Sequence, residues 1–578
     1  MRLKVVKNIS LLVGWRCIDN MEIDKESITN LISLVNQKKF NQVINEALDL
    51  LNQYPSSYDL YNILGVTHNL IGKKAEAGLY FSKSYKINPN EINTINNLAN
   101  FYFESRKFTD AIPLYNEAIN LNNRFYQAYM NLGQAYEKIG DFTSALKTYD
   151  KAIELNPTDH NLFLLSGICY YNQGNIEFAI NQIREAIKLN SNFDKVYFNL
   201  AAIELKNNNL SEALINIGKC LKITPTFQNA NFISGIIHKG LGQMKKAIIF
   251  LNKELNNLSP ESNTYFELSE CYFLIGDLDN SAAFLKKAVA KSNKNNIFYD
   301  KLGNREKALG NYKKAAECYV LGKNSGWEEK EIDSLYLSHA DNDFLEKKLE
   351  NYSKKISNSR IIASIFSHNE VVFKKSNTYN FCKKPFDYIY HGSIINQLNQ
   401  YDNLIDNLIL HERSTRSEKV IQPLLVEGNQ SAGDLFSQDN ESFKILKDII
   451  IDEINKYFIR FKEKDCSFIT ERPKEIRIKG WFVKMQNGGY LKNHIHPDGW
   501  LSGSIYLEMP KELNSHEGAI EFNLHNDNYF LNNKVKFPNK VYNLSVGDII
   551  LFPSSIFHKT KPFISDHKRL CIAFDLQN

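Results

Sequence analysis

The sequence predicts a multidomain α + β protein, with an all-helical repeat array in its N-terminal half and an antiparallel β domain in its C-terminal part. Two observations lead to this prediction. A small residue recurs at a constant step through the first half, and the apolar period becomes alternating after an amphipathic stretch at 443–461. At 578 residues the chain also exceeds the size of a single core, which stops growing near roughly 250–300 residues.

The repeat signal is a Leu-Gly type pair whose small member recurs eight times at equal intervals. These small residues are Gly65, Ala99, Gly133, Gly167, Ala201, Gly235, Ser269 and Gly303. A second small residue, Ala77 in the first unit, follows thirteen positions after each Leu, and a large side chain such as Phe81 comes four positions later. Small residues at these positions let two short antiparallel helices approach closely, and the large side chains fill the space one turn away.

This pattern resembles the tetratricopeptide (TPR) repeat, whose solenoid has a concave groove that holds a peptide or another protein. The resemblance therefore implies a protein or peptide partner in the groove, with self-association or mere positioning of the next domain as alternatives. The predicted layout is an N-terminal extension at 1–23, a degenerate helical cap at 24–57, eight TPR repeats at 58–329, a helical cap and linker at 330–375 and a C-terminal domain at 376–578.

The C-terminal domain is predicted to be a β-sandwich or jelly roll with helices packed outside it, because a long helix precedes many alternating segments. Residues 330–365 have helical spacing, and 366–392, which continue into the C-terminal domain, are expected to be an extended connector. The predicted strands are Ile476–Met485, Leu501–Leu507, Ala519–Leu524, Val541–Leu544, Asp548–Phe552 and Arg569–Leu576.

A mononuclear metal site is predicted from the run His494-Ile495-His496-Pro497-Asp498 and the distant His558. Alternate side chains of a strand share a face, so all three polar residues of the run are expected to point into the barrel. Imidazoles, with or without one carboxylate, suit Fe(II) and leave coordination positions open. We prefer the ligand set His494, His496 and His558. The alternative set is His496, Asp498 and His558, although the flanking proline and glycine favour a turn at Asp498.

Arg569 opens the strand that follows His558. A permanently charged, bidentate donor beside a metal is the group that a dicarboxylate cosubstrate requires. Tyr506 lies on a facing predicted strand, and we expect it to help hold that cosubstrate together with Arg569. Packing in the core is the alternative role for Tyr506, and a rim ion pair is the alternative for Arg569.

These residues lie in segments that resemble the double-stranded β-helix Fe(II)/2-oxoglutarate oxygenases, best those that carry a TPR array in front. The resemblance implies a C-terminal double-stranded β-helix (jelly-roll) domain with flanking helices. It further implies Fe(II) and 2-oxoglutarate as cofactors, O2 as cosubstrate, and dioxygenase activity of the hydroxylase type. The matching segments are 488–507, 551–558 and 569–575, with a weaker one at 428–436.

Two other functions are compatible with the sequence. The spacing from Gly547 through Pro553 to His558 also matches the second cupin motif, which predicts a metalloenzyme that does not use 2-oxoglutarate. That interpretation lacks the usual cupin glutamate and leaves Arg569 without a role. A non-catalytic TPR scaffold is the third possibility, although intact histidines argue against it.

Composition excludes several partners. The net charge is +5 and the lysines are scattered, so no nucleic-acid surface is expected. No apolar run reaches the roughly 18 residues of a membrane span, so no membrane partner is expected. The 8 cysteines stand far apart, Cys17 being the first, which is typical of reduced thiols in a cytoplasmic protein.

Overall fold

The computed structural model describes residues 23–256, 260–414, 419–420, 424–431, 433–511, 513–531 and 535–577. Residues 1–22, with Cys17 and nearly all of the predicted N-terminal extension, lie outside the described residues. The chain divides into two compact units, the first ending at Pro260 and the second running from Glu261.

The described residues up to Phe373 form helices and their connections. The helices are α1 Lys25–Asn36, α2 Phe40–Gln53, α3 Tyr58–Leu70, α4 Lys74–Ile87, α5 Ile92–Glu104, α6 Phe108–Leu121, α7 Tyr126–Lys138, α8 Phe142–Leu155, α9 His160–Gln173, α10 Ile176–Leu189, α11 Asp194–Lys206, α12 Leu210–Ile223, α13 Ala230–Gly240, α14 Met244–Leu255, α15 Ser262–Leu274, α16 Leu278–Lys291, α17 Asn296–Ala308, α18 Tyr312–Gly322, α19 Trp327–Leu337, α20 Asn342–Lys355 and α21 Arg360–Phe373. The order confirms the predicted helical solenoid followed by a strand-rich domain.

The pairs from α3/α4 to α17/α18 occupy the span predicted for the repeats. Their packing shows why each repeat needs a small residue at the same position. A Cβ placed on Gly133 of α7 would lie 2.5 Å from the ring of Tyr149 of α8. Tyr149 is fully buried, so its ring has no space into which to move. Glycine at this position thus lets the two helices of a repeat touch through a large side chain.

The C-terminal domain adds four helices and ten strands within the described residues. The helices are α22 Ile395–Leu398, α23 Leu404–Ser414, α24 Glu441–Arg460 and α25 Ser467–Thr470. The strands are β1 Tyr390–Ser393, β2 Lys419–Val420, β3 Leu425–Ser431, β4 Ile478–Leu491, β5 Gly499–Glu508, β6 Ile520–Asn523, β7 Asn539–Tyr542, β8 Asp548–Pro553, β9 Phe557–Thr560 and β10 Arg569–Gln577. All six predicted strands are present with shifted ends. The four others are short or carry many polar residues, so they show little alternation.

The strands form two antiparallel sheets in the described part of the chain. The larger has the order β1-β8-β5-β10-β4-β3-β2 and the smaller β7-β6-β9. The two faces of β10 belong to different cores. Leu570, Ile572 and Phe574 pack with the outer helices, whereas Cys571 packs with Met485 and other residues between the two sheets. Odd-numbered residues of β10 therefore face the space between the sheets.

The helices α19 to α21 share one hydrophobic core with the C-terminal domain. This core contains Ile332 of α19 and Ile365 of α21 together with Phe443 of α24 and Ile572 of β10. The extended connector expected from 366 onward is wrong for its first part, because α21 continues to Phe373. Its polar residues 367–369 interrupt the apolar pattern, yet they are buried.

Among the described residues, none of the helices combines the length and the apolar character that a membrane crossing requires.

Candidate metal centre

Two chain segments bring three histidines together at one end of the space between the sheets. His494 and His558 are joined by two backbone hydrogen bonds, each N–H donating to the other residue's carbonyl at 3.0 Å. The N–H of His496 donates to Ser554 O at 3.0 Å, in the turn that leads into β9. The ladder thus fixes the backbone of each histidine to the other segment.

The three side chains converge. One nitrogen from each of His494, His496 and His558 lies within 4.8 Å of the others. The ring centroids are 5.2 Å apart for His494 and His496, 4.3 Å for His494 and His558, and 5.1 Å for His496 and His558. This spacing leaves room for one metal ion that all three imidazoles contact.

Each imidazole has an acceptor beside its Nδ1 atom. The acceptor is Lys492 O at 2.8 Å for His494 and Ile556 O at 3.3 Å for His558. For His496 it is the Asp575 carboxylate, at 2.7 and 2.9 Å. An imidazole that donates from Nδ1 keeps the lone pair of Nε2, which is the atom that binds a metal. The arrangement therefore sets all three rings in the tautomer that a metal requires.

Asp575 is a site residue that the sequence motifs did not reveal. It lies on β10, and besides His496 it accepts a hydrogen bond from Ser502 Oγ at 2.6 Å. Ser502 in turn lies 2.7 Å from Ser554 Oγ, beside the His496 segment. A carboxylate behind a ligating histidine raises its basicity and holds its orientation. The signal in the sequence was an aspartate six positions after Arg569 in an otherwise apolar strand.

The pKa of His496 is shifted in the opposite direction from the pKa values of His494 and His558. Burial, together with His496, lowers the pKa of His494 to about 4. Burial and the two other imidazoles place the pKa of His558 well below its ordinary value. Burial acts in the same direction on His496, but the Asp575 carboxylate, with a smaller contribution from Asp498, outweighs burial and raises the pKa of that residue. At neutral pH His494 and His558 are therefore neutral and able to ligate without losing a proton.

Asp498 is not part of this group. Residues 497 and 498 form an exposed turn between His496 and β5, so the expectation that a strand would carry all three polar side chains inward is wrong for Asp498. Pro497 and Gly499 flank Asp498, and the Gly499 N–H closes the turn on His496 O at 3.2 Å. The described residues thus bring together the first predicted ligand set and leave the alternative carboxylate outside.

Arg569 and Tyr506 are buried side by side. The Arg569 side chain is 1% exposed, and its Cζ lies 5.0 Å from the centroid of the Tyr506 ring. Arg569 donates to Gly518 O at 3.2 Å and to Tyr506 Oη at 3.4 Å. Its other contacts are to the sulfur atoms of Met485 and Cys571, and no carboxylate is among its partners in the described part of the chain. Burial raises the pKa of Tyr506 to about 12, so it stays a neutral hydroxyl.

A reciprocal amide pair supports His494 from the other side. Asn523 Nδ2 donates to Asn493 Oδ1 at 3.0 Å, and Asn493 Nδ2 donates back to Asn523 Oδ1 at 3.4 Å and to His525 O at 2.7 Å. Asn523 is fully buried at the end of β6. The pair fixes the residue before His494 to the smaller sheet. His525, to which the sequence motifs gave no role, therefore contributes its backbone.

Fold and site together define a helical-repeat protein with a C-terminal β domain whose histidines can hold a metal ion. The chain carries tetratricopeptide repeats, matched by family models at 99–140, 126–159 and 262–291. At its C-terminus it carries a domain matched over 479–575 by the family described as "Putative 2OG-Fe(II) oxygenase". The matched range contains the three histidines, Arg569 and Asp575.

Other similarities concern smaller parts or only the fold. The chain is 28% identical over 110 residues to the uncharacterized protein ycf37 of Pyropia yezoensis, which is 19% of this chain and 57% of that protein. It therefore spans little more than half of this relative. Among solved structures, the APC/C hetero-tetramer Cut9–Hcn1 is 16% identical with a TM-score of 0.37, over 48% of this chain and 55% of that one. A tetratricopeptide repeat protein from Parabacteroides merdae is 16% identical with a TM-score of 0.36, over 43% and 98%.

Proposed function

We propose that the C-terminal domain is an Fe(II)/2-oxoglutarate-dependent dioxygenase of the hydroxylase type, with His494, His496 and His558 as iron ligands. The observation that carries this proposal is the convergence of three imidazoles, each with an acceptor at Nδ1. Three imidazole nitrogens on one face suit Fe(II) and leave positions for a cosubstrate and O2. Bound iron with 2-oxoglutarate supplies O2 activation coupled to oxidative decarboxylation of that cosubstrate.

Arg569 supports 2-oxoglutarate as the cosubstrate. Arg569 has hydrogen-bond partners but no carboxylate among the described residues, and a buried guanidinium is costly when no opposite charge offsets its removal from water. The distal carboxylate of 2-oxoglutarate would supply that partner, and Tyr506 Oη lies beside the guanidinium as a second hydrogen-bonding group. Arg569 Nη1 and Thr560 Oγ1 both contact the Met485 sulfur, at 3.7 and 3.8 Å. Thr560 and His558 are two residues apart on β9 and so share a face of that strand, which places the Met485 sulfur and the Arg569 guanidinium on the His558 side of β9.

The other residues of the site orient the histidines and shield them from water. Asp575 keeps a proton on His496 Nδ1 and so reserves Nε2 for the metal. The rings of Phe552 and Trp481 lie 4.7 Å from His558 and 6.0 Å from His496, which limits the access of water to two of the imidazoles. A dry, shaped site strengthens the interaction of Arg569 with a carboxylate.

We propose further that the repeats recruit the substrate or a partner, a protein or peptide, to the same chain. The presence of several TPR units supports this role, because such arrays present an extended binding surface.

A cytoplasmic location fits the same proposal. No disulfide joins the described cysteines, which are all buried, as expected for a reducing compartment.

The test is anaerobic calorimetric titration of 2-oxoglutarate into Fe(II)-loaded protein, with Arg569→Ala as the variant. We expect metal-dependent binding that weakens roughly 10–100-fold in the variant, since hydrogen bonds to a charged group are lost. Arg305→Ala is the matched control, because Arg305 is also buried, at 5% exposure, but donates to Glu270 and Ser281 in the helical part. The control should keep the wild-type affinity.

The same titration separates the alternatives. Iron binding without any binding of 2-oxoglutarate would refute the oxygenase and favour the cupin-type metalloenzyme. Failure of the wild-type protein to bind iron would refute both and favour the scaffold. Release of succinate on exposure to O2 would be the positive result.

A further inference from the structure

The turn that carries His496 is held from outside the domain matched by the oxygenase family. Arg360, the first residue of α21, donates from Nε to Pro497 O at 2.9 Å. It also donates from Nη1 to Asn358 O at 2.9 Å, and its Cζ lies 6.0 Å from the centroid of the Trp500 ring. Arg360 itself is 8% exposed, so its guanidinium is largely withdrawn from water, although Pro497 lies in an exposed turn.

The bond to Pro497 matters because the turn has few other restraints. Proline has no N–H, so residue 497 cannot donate to the sheet. The described backbone hydrogen bonds of this turn are His496 N to Ser554 O at 3.0 Å and Gly499 N to His496 O at 3.2 Å. Both involve His496 itself. The Arg360 bond fixes the next peptide unit, which directs the chain away from the metal centre.

The charge of Arg360 also interacts with carboxylates around the turn. Burial lowers the pKa of its guanidinium, and the carboxylates of Glu329, Asp498 and Asp575 oppose that shift. Asp575 is the partner of His496 Nδ1. One buried cation thus interacts electrostatically with the carboxylate behind His496 and bonds to the carbonyl just after His496.

We propose that Arg360 is a positioning residue of the metal centre, which fixes the turn at Pro497 and so holds His496 in place for the metal. The proposal rests on the three-histidine site of the proposed function. It implies that α21, a helix that follows the repeats, contributes to the metal centre of the C-terminal domain, although this helix lies outside residues 479–575. The role is indirect, because Arg360 bonds to the backbone of the ligand segment at Pro497.

The test uses the full chain and Co(II), a spectroscopic substitute for Fe(II) that does not oxidise in air. Arg360→Met keeps an apolar stem and removes both donors. Partners that orient a metal ligand are typically worth roughly 10–100-fold in metal affinity, and a partner of the backbone should act at the lower end, about tenfold. We expect this loss together with a changed visible absorption of the bound Co(II).

Arg305→Met is the matched control, since it removes a guanidinium of similar burial elsewhere in the second unit. Both variants should lower the melting temperature of the metal-free protein, but only Arg360→Met should weaken Co(II) binding. Arg360→Lys provides a second variant if Met impairs folding. It keeps the charge and lacks the Nε donor, so it should also bind Co(II) more weakly than wild type.

Each outcome decides one question. Wild-type affinity and spectrum in a folded Arg360 variant would refute the positioning role and leave the metal site intact. Equal losses in the Arg360 and Arg305 variants would refute it as well, because general destabilisation would then suffice. A wild-type protein that binds no Co(II) would refute the proposed metal centre itself.

Discussion

The carboxylate behind His496 provides the sharpest test of the metal centre. In Asp575→Asn the side chain keeps its shape, but one of its two oxygens becomes an NH2 group. In the structure both oxygens lie within 2.9 Å of His496 Nδ1, and Oδ1 also accepts from Ser502. Whichever way the new amide turns, an N–H donor faces the N–H of the imidazole. The imidazole avoids this repulsion between two N–H groups by moving its proton to Nε2. There the proton occupies the lone pair that a metal needs.

The expected cost follows from this conflict. Loss of such a carboxylate partner typically lowers metal affinity roughly 10–100-fold. This corresponds to about 1.4–2.8 kcal/mol, at about 1.4 kcal/mol for each factor of ten. Anaerobic competition between the protein and a chromophoric chelator for Fe(II) measures the affinity directly.

Asp566→Asn is the control, because it removes the same charge from an exposed position. Ser502→Ala is a second comparison and removes only one of the hydrogen bonds to Asp575. An Asp575→Asn protein that is folded and binds Fe(II) within about twofold of wild type would refute the assignment of Asp575, and with it the tautomer argument.

Three further outcomes are expected. Gly133→Ala should destabilise the repeats by about 1–3 kcal/mol, because the new methyl overlaps the buried ring of Tyr149, and urea unfolding measures the change. Gly140→Ala is not a usable control, since Gly140 has a φ of 83°, whereas Gly218→Ala meets nothing and should be neutral or stabilising. Tyr506→Phe should raise the KM for 2-oxoglutarate by several-fold and leave iron affinity unchanged, since only the hydroxyl beside the guanidinium is lost; an unchanged KM would remove Tyr506 from the site. Burial lowers the pKa of His368 from 6.5 to about 4, so the unfolded chain binds a proton there before the folded one does. Stability should therefore fall as pH decreases from 6.5 toward 4, by about 3 kcal/mol from this group, and a His368→Gln protein with the same pH slope would contradict that.

The repeats and the histidine cluster were predictable from sequence for physical reasons. Contacts within a repeat are local, so Gly133 and Tyr149 recur in phase with their counterparts and mark the helix pair. The histidines stand in two short motifs whose residue types alone indicate a metal. The tautomers could not be predicted, because two of the three acceptors at Nδ1 are backbone carbonyls, which no residue type reveals.

The residues that support the histidines were harder to predict from the sequence. The role of Asp575 follows from the face of β10 that lies toward the histidines. The sequence predicts the strand but not its register, so it does not predict that role. Arg360 stands far before His496 in the chain, at the start of a different element, so only tertiary packing brings the two together. The proline and glycine beside Asp498 predict a turn there, whereas the alternation of the preceding histidines predicts a strand. The two expectations conflict, and the sequence alone does not decide between them.

The core shared by α19 to α21 and the β domain has a practical consequence for dissecting the chain. A fragment that starts at residue 376 would lack Ile332 and Ile365, and would expose the surface that they cover. It would also lose Asp333, which accepts the Tyr529 hydroxyl, and His368, which contacts Phe530 O at 3.1 Å. The portion suited to separate expression and crystallisation therefore begins near Glu261, where the second compact unit starts. A fragment that keeps the histidine site in its folded surroundings has to include the last repeats.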